Sequence, residues 1–169
     1  MPFIESFEPV IGTDPKVLIL GSIPGIASLQ AQQYYAHPRN AFWPIMAELF
    51  DVEWSAEYEI RIQQVKKLPV VLWDTLKACH REGSLDSAIT KDRLEANDII
   101  GLLKLQPNIR LIAFNGVASE KYFKQTVAKL LTDDKQVDRI RLPSTSPAHA
   151  SKNVQQKIED WKVIVRYLS

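Results

Sequence analysis

The segment 30–40, which reads QAQQYYAHPRN, contains the densest group of side chains that could take part in chemistry. A tyrosine ring offers a flat face on which a planar base can stack, and Arg39 could contact a phosphate group. The amide of Asn40 could orient a water molecule or read the edge of a base. The alternative, with similar weight, is that Tyr34 and Tyr35 are half-buried packing residues and that His37 is a hydrogen-bonded loop histidine.

Two further polar segments directly follow aliphatic runs. The string GSIPG at 21–25 follows KVLIL, and its two glycines allow the backbone to approach a ligand closely. This string is neither GxGxxG nor a P-loop, so a simple tight turn remains open. Asp74 follows VVLW, where it could accept a hydrogen bond from the imide-like edge of a base. It could equally cap a helix that starts near Leu76.

Three other positions contain chemically capable residues. The stiff segment PSTSPAH at 143–149 has hydroxyl groups and backbone N–H groups that can bind phosphates, although a Pro-rich turn is the alternative. We interpret Asn115 and Gly116 as a turn into the next helix. Cys79 and His80 could suggest a thiol–imidazole pair, but adjacent residues on a helix point about 100° apart. We therefore interpret both residues as structural.

The elements that must position these segments alternate along the chain. Nearly continuous apolar runs predict three buried strands, at 16–20, 70–73 and 109–114. The alternating string DRIRL at 138–142 predicts a fourth strand, which suits a sheet edge. Helical patterns occupy about 41–50, 94–105, 117–131 and 152–168. The alternation predicts an α/β protein, a three-layer α/β/α sandwich with a central, mostly parallel four-stranded sheet. Ligands of such sheets bind at the carboxyl ends of the strands, where the polar segments fall.

Composition limits the protein class. A chain of 169 residues, 46% apolar and 24% charged, suits one domain over residues 1–169. It contains no run of about 20 apolar residues that could cross a membrane, and acids stand near the N-terminus where a signal peptide has bases. One cysteine and three histidines argue against disulfides and metal sites. We therefore expect a cytoplasmic protein without a metal or cofactor.

The charge distribution permits a basic face. The net charge is +1, yet residues 1–60 have two bases against eight acids, while residues 61–169 have nineteen bases against twelve acids. This asymmetry allows a local surface for an anionic partner, and ordinary scatter is the alternative.

Together, these segments resemble the uracil-DNA glycosylase superfamily. The strings that carry the resemblance are GSIPG at 21–25, YYAHPRNAFW at 34–43, LWDTLKACHREGSLDSAI at 72–89 and STSPA at 144–148. Their combination is typical of the hypoxanthine-DNA glycosylase branch, and HPRNAFW is also similar to a string of mismatch-specific uracil glycosylases. The matches span about residues 16–150.

The resemblance implies a monofunctional DNA-deoxyinosine glycosylase of base excision repair, which hydrolyses the N-glycosidic bond of a flipped base. Ile23 stands where mismatch-specific uracil glycosylases have a catalytic asparagine. The hypoxanthine branch lacks that residue and uses the asparagine of the HPRN string, so Asn40 is the implied catalytic residue.

The same resemblance implies a base-binding set. Tyr35 matches the aromatic residue that stacks on the flipped base, and Asp74 falls at the position that reads its edge. The remaining members of the expected base-binding set are Ser22, Ile23, Gly25 and His37.

The final loop is implied to press against the DNA backbone and to fill the space that the flipped base leaves. This expected set consists of Arg39, Ser144, Thr145, Ser146, Pro147, Ala148 and His149. The chain departs from the branch here, because His149 stands where asparagine is common and the residue at the wedge position is the small Ala148.

The expected partner is DNA that contains a deaminated base, double-stranded or also single-stranded, bound by a monomer. Three alternatives remain: a mismatch-type uracil-DNA glycosylase, a non-catalytic binder of lesion DNA, and a hydrolase. The hydrolase would use Ser144 or Ser146 with His149 and Asp74 as a triad, but the sequence has no G-x-S-x-G elbow.

Overall fold

The computed structural model describes residues 2–90, 94–131 and 137–169, and eight strands and six α-helices lie in these ranges. The strands are β1 (Phe3–Glu5), β2 (Val10–Ile11), β3 (Val17–Gly21), β4 (Val70–Asp74), β5 (Leu76–His80), β6 (Glu95–Ala96), β7 (Leu111–Asn115) and β8 (Asp138–Leu142). The α-helices are α1 (Ile26–Ala31), α2 (Phe42–Phe50), α3 (Tyr58–Val65), α4 (Ile99–Leu105), α5 (Val117–Thr126) and α6 (Val154–Trp161). Short 3-10 helices span Asp86–Ala88, Ala128–Leu130 and Lys162–Tyr167.

The central sheet has the strand order β2-β4-β3-β7-β8. Its parallel core, β4-β3-β7-β8, consists of the four predicted strands. The short strand β2 extends this core by antiparallel pairing with β4, so the sheet has five strands rather than four. Two residues are too few to give a periodic sequence signal, which is why β2 was missed.

The two faces of the sheet bury different side chains. Successive residues of a strand point to opposite faces. Val17 and Ile19 therefore pack with helices α2, α3 and α6, while Leu18 and Leu20 pack with helices α4 and α5. Helices on both faces confirm the predicted three-layer α/β/α sandwich.

A second, antiparallel sheet with the order β1-β5-β6 corrects one prediction. Leu76 begins strand β5 and not a helix, so Asp74 caps nothing there. The backbone N–H groups of Thr75 and Leu76 donate to the carbonyls of Gly21 and Ser22, which keeps the chain extended beyond β4. Strand β1 pairs with β5 in antiparallel orientation, with Ile4 opposite Cys79. The sequence predicted neither of these two strands.

Cys79 and His80 are structural residues, as predicted, but they lie on strand β5 and not on a helix. Cys79 is fully buried in a small core cluster with Ile23 and Leu76. The His80 ring lies edge-on against Phe3, with 5.0 Å between the ring centroids.

Helix boundaries differ from the sequence patterns. The pattern at 94–105 splits into β6 and α4, because the Asp98 side chain accepts a hydrogen bond from Gly101 N–H and starts the helix there. The patterns at 117–131 and 152–168 each end in a 3-10 helix. Helices α1 and α3 were not predicted. Within the described ranges, no helix is long and apolar enough to cross a membrane.

We expect Trp161→Ala to lower the free energy of unfolding by about 3–5 kcal/mol, because removal of a large buried aromatic leaves a cavity. Trp161 is fully buried in the α2–α6 layer, and its indole N–H donates to the carbonyl of Pro143 at 3.0 Å. Urea unfolding measures the change. The partly exposed Val165→Ala is the control and should change stability by less than about 0.5 kcal/mol. A loss below about 1 kcal/mol for Trp161→Ala would contradict its role in the core.

Candidate active site

A cavity of about 340 Å³ opens at the carboxyl ends of the parallel strands. Strand β3 connects to β4 on one side, and β7 connects to β8 on the other, so the cavity lies at the topological switch point of the sheet. The residues that line it are Phe7, 21–28, Tyr34, Tyr35, His37, Asn40, Asp74, 84–86, Asn115 and 144–148. The fold therefore brings together the expected catalytic and base-binding residues.

The Asp74 carboxyl is the most unusual group in this cavity. The residue is 5% exposed, and its Oδ2 atom has no hydrogen-bond partner among the described residues. Burial, and to a smaller extent the neighbouring Asp86, raises the pKa of this carboxyl to about 7, while Arg81 opposes the shift. A buried polar atom without a partner is costly, so this oxygen points to a ligand with a hydrogen-bond donor.

Space for this carboxyl depends on a residue without a side chain. Gly21 pairs with Asp74 across the β3–β4 ladder. A Cβ atom at Gly21 would collide with Asp74 Oδ1. The glycine is therefore required by a close approach of the Asp74 side chain to the backbone.

Tyr35 supplies a flat wall. Its ring stacks on Phe42, with the centroids 3.8 Å apart and 15° between the planes. Its hydroxyl is 3.5 Å from the Nδ2 donor of Asn115, and burial raises its pKa. Tyr35 adopts a left-handed φ of 53°, and its carbonyl accepts a hydrogen bond from the Trp43 indole. These contacts fix the ring orientation. Its neighbour Tyr34 is a core residue.

Asn40 has two tasks. Its Oδ1 atom accepts a hydrogen bond at 2.9 Å from the backbone N–H of Phe42, the first residue of α2. Because the partner is a donor, the acceptor must be the amide oxygen, which assigns the other end of the side chain as NH₂. Asn40 therefore contributes hydrogen-bond donors to the cavity that it lines.

The first loop, residues 22–26, is held from one side by the segment 81–86. The Ser22 hydroxyl donates to Asp86 Oδ1 at 2.6 Å, so this hydroxyl is already occupied. The Ile26 N–H donates to Ser84 Oγ at 2.8 Å. The buried Arg81 donates to the carbonyl of Pro24 at 2.6 Å. These bonds fix the path of the loop backbone beside the cavity.

Asn115 is a site residue that the sequence interpretation missed. It is the last residue of β7 and lines the cavity, whereas the sequence suggested only a turn. Its Oδ1 accepts from Thr145 N–H at 2.9 Å, and its Nδ2 donates to Thr145 Oγ1 at 3.0 Å. One amide thus joins the final loop to Tyr35. Its position at the carboxyl end of a parallel strand was the available signal.

The site places the chain among known proteins. A family model described as the uracil DNA glycosylase superfamily matches residues 9–168. The chain belongs to this superfamily. A protein of Methanosarcina acetivorans named hypoxanthine DNA glycosylase is 34% identical over 96% of this chain and 98% of its own length. One of Methanosarcina barkeri with the same name is 40% identical over 70% of this chain and 74% of its own length.

A solved structure supports the same assignment. The solution NMR structure of a protein from Methanosarcina acetivorans, described as a candidate uracil DNA glycosylase, aligns with a TM-score of 0.78. The two chains are 32% identical, and the alignment covers 99% of each. The predicted superfamily and fold are thereby confirmed.

In this member of the superfamily, the side chain of Ile23 is part of the core. Ile23 packs with Leu76, Cys79 and Tyr122, although the residue also borders the cavity. It therefore offers a ligand backbone rather than side-chain chemistry. Gly25 borders the cavity next to Ser84, with which an added Cβ would be in close contact.

The structure separates the two histidines between which the sequence could not choose. His37 lines the cavity, and its Nδ1 accepts from Arg39 N–H at 3.1 Å, which leaves the proton of the neutral ring on Nε2. His149 is not among the cavity-lining residues, and its Nε2 lies 3.3 Å from Ser151 Oγ. Arg39 is exposed outside the cavity.

The serine-hydrolase alternative loses support. Ser144 Oγ accepts from Ser146 N–H at 3.1 Å, and Ser146 Oγ accepts from Ala148 N–H at 3.2 Å. These bonds shape the final loop as successive turns. Among the residues that the structure describes, no hydrogen bond joins either hydroxyl to the His149 ring, which lies outside the cavity. In the described parts of the chain, no three His, Cys, Asp or Glu side chains form a possible metal site.

The Asp74 carboxyl should make stability depend on pH. Its pKa is about 7 in the folded protein against an ordinary value of 3.8. The unfolded chain loses this proton first, so the free energy of unfolding should fall as pH rises between about 4 and 7. Asp74→Asn should make this decline markedly shallower.

Urea unfolding of both proteins at a series of pH values measures this effect. The exposed Glu53→Gln is the control and should keep the decline of the parent protein. Parallel pH profiles for Asp74→Asn and the parent would show that Asp74 ionises as it does in water.

Proposed function

We propose that this chain is a monofunctional DNA glycosylase that hydrolyses the N-glycosidic bond of a flipped deaminated base, hypoxanthine in deoxyinosine. The observation that carries the proposal is the buried, unpartnered Asp74 carboxyl in a cavity walled by Tyr35. The two relatives named hypoxanthine DNA glycosylase support the choice of base. Within the described ranges, no lysine lines the cavity, so the site offers no amine for a Schiff base.

The target nucleotide must leave the stack before it can enter this cavity. Flipping costs a few kcal/mol and is easier for a damaged base that pairs poorly. Phe42 supports one face of the Tyr35 ring, and the flipped base stacks on the other. A stack alone does not select among bases, because every base has a face.

Asp74 supplies the selection. As a carboxylate, it accepts a hydrogen bond from the N1–H group of hypoxanthine. Adenine has an acceptor at N1, so two acceptors would face each other, at a cost of about 1–3 kcal/mol. The N3–H group of uracil satisfies Asp74 in the same way. The preference for hypoxanthine over uracil is therefore supported by the relatives and not by this hydrogen bond.

Cleavage breaks the bond between C1′ and N9. The bonding electrons leave with the base, and the sugar passes through an oxocarbenium-like state. Three backbone N–H groups of the first loop, those of Ser22, Ile23 and Gly25, can stabilise the negative charge on the base. The Nε2–H of His37 is a further donor.

Water completes the reaction. The NH₂ group of Asn40 holds a water molecule through its oxygen, and that oxygen then bonds to C1′. The proton that the water loses neutralises the departing base anion, so the products are free hypoxanthine and an abasic site. Asn40 acts by orientation, since an amide does not take up the proton.

Double-stranded DNA is the proposed partner of a monomeric enzyme, with single-stranded DNA as a second substrate form. The exposed guanidinium of Arg39 and the backbone of the final loop, residues 144–149, contact the phosphates. Arg39 and His149 lie outside the cavity, which agrees with contacts to the DNA backbone rather than to the flipped base.

Labelled duplexes that contain one inosine, one uracil or only normal bases test the function. After incubation with the protein, alkali cleaves the strand at each abasic site. We expect scission at inosine and none at normal bases. Scission only at uracil would make the chain a uracil glycosylase, and lesion binding without scission on duplex or single strand would make it a non-catalytic binder.

We expect Asn40→Ala to lower base release by about a hundredfold or more, because it removes the group that positions water. Binding of inosine DNA should remain. Asn40→Ser separates this effect from helix stability, since a serine hydroxyl can accept the Phe42 hydrogen bond but provides no amide. Asn108→Ala, which removes an exposed asparagine bonded to Asp14, is the control. Equal losses of binding and cleavage would refute the assignment.

A further inference from the structure

A large apolar side chain is exposed at the mouth of the cavity. Leu85 is 57% exposed, and Ile26 beside it is 44% exposed, yet both line the cavity. Single exposed leucines are common on protein surfaces and need no explanation. The position of this pair is what matters, because any DNA whose base enters the cavity must cover this rim.

The turn that presents Leu85 is anchored on both sides. Ser84, before it, accepts a hydrogen bond from Ile26 N–H at 2.8 Å, and Asp86, after it, accepts from Ser22 at 2.6 Å. Arg81 adds a bond from its Nε to the carbonyl of Gly83 at 2.8 Å. Gly83 has a φ of 69°, which turns the chain into this segment. Leu85 is therefore an exposed side chain on a fixed support.

The opposite rim offers no leucine or isoleucine, because residues 144–148 of the final loop are Ser, Thr, Ser, Pro and Ala. In the central sheet, β8 and β4 lie on opposite sides of the β3–β7 pair. The final loop follows β8, whereas the segment 81–86 comes after β4 and β5 in the chain. The final loop presents Ala148, whose single methyl group is too small to replace a flipped base in the stack. Proteins that hold DNA open insert large apolar side chains such as leucine and isoleucine between base steps.

The charges around Leu85 favour contact with bases over contact with phosphates. Two acidic residues of the same exposed segment, Glu82 and Asp86, lie on either side of Leu85 in the sequence. Arg81 is buried, and its charge is directed at the first loop. An acidic rim repels the DNA backbone, whereas an apolar side chain gains from contact with stacked base faces.

We propose that Leu85, supported by Ile26, inserts into the DNA stack beside the flipped nucleotide and keeps the duplex open. This inference rests on the proposed glycosylase function and adds the residue that performs the opening. The small Ala148 then lies against the backbone, and the bulk comes from the other rim. Leu85 does not touch the reacting atoms. It acts on the equilibrium between stacked and flipped nucleotide.

The consequence is a dependence on strandedness. A duplex must be opened against stacking and pairing, whereas the inosine of a single strand is already accessible. Leu85→Ala should therefore lower cleavage of an inosine·cytosine duplex by about tenfold or more, and a tenfold loss corresponds to about 1.4 kcal/mol. Cleavage of the same strand without its complement should stay within about twofold of the parent protein.

The matched control is Leu105→Ala. Leu105 is also an exposed leucine, 76% accessible, but it ends α4 shortly before β7 begins, at the amino ends of the parallel strands and away from the cavity. Its replacement should leave the cleavage rates of both substrates unchanged. Single-turnover cleavage of duplex and single strand gives the ratio for each protein, and 2-aminopurine next to the inosine reports unstacking by fluorescence.

The two levels of the hypothesis fail in different ways. If the parent protein releases no base from either substrate, the proposed function fails. If the parent is active and Leu85→Ala lowers the cleavage rates of duplex and single strand equally, Leu85 is only a wall of the base pocket, and its proposed insertion into the stack is refuted. An unchanged duplex rate in Leu85→Ala also refutes it. A selective loss on the duplex, with a reduced 2-aminopurine signal, supports it.

Discussion

The Asp74 carboxyl is buried where water cannot solvate its charge, and much of the site follows from this. Its neighbour across the β3–β4 ladder must be Gly21, since a Cβ atom would occupy the space of the carboxyl. The proximity of Asp86 increases the penalty of ionisation, and Arg81 offsets part of it. The absence of a partner for Oδ2 among the described residues leaves hydrogen-bonding capacity for a ligand. Buried carboxyls with a raised pKa and no partner are destabilising, and they are typical of sites that bind a ligand.

The walls of the cavity come from different parts of the chain, and side chains hold them together. The segment 81–86 fixes the first loop through Arg81, Ser84 and Asp86. Across the cavity, Asn115 joins the final loop to Tyr35. Hydrogen bonds inside a low-dielectric site strengthen one another, so each loop gains order from its neighbour. The site is consequently formed before a ligand arrives.

The sequence predicted what periodicity and strand ends can reveal. Three apolar runs and one alternating string defined the parallel core, and the polar residues after them, Asp74 among them, meet in one cavity. The short strands escaped detection because two or three residues have no measurable period. The strand that begins at Leu76 was mistaken for a helix, since it is identified by its pairing with β1 and β6 and not by its own sequence. The role of Asn115 was hidden for a similar reason, because its partners Tyr35 and Thr145 are distant in sequence.

The hydrogen bond between Asn40 and the first N–H of α2 ties the proposed catalytic amide to a helix terminus. The first turn of α2 belongs to the core, since Phe42 is fully buried and its ring stacks on Tyr35. The free energy needed to open this turn is therefore close to that of unfolding the domain. The orientation of the amide consequently lasts as long as the fold does, and heating should remove it only when the sheet melts.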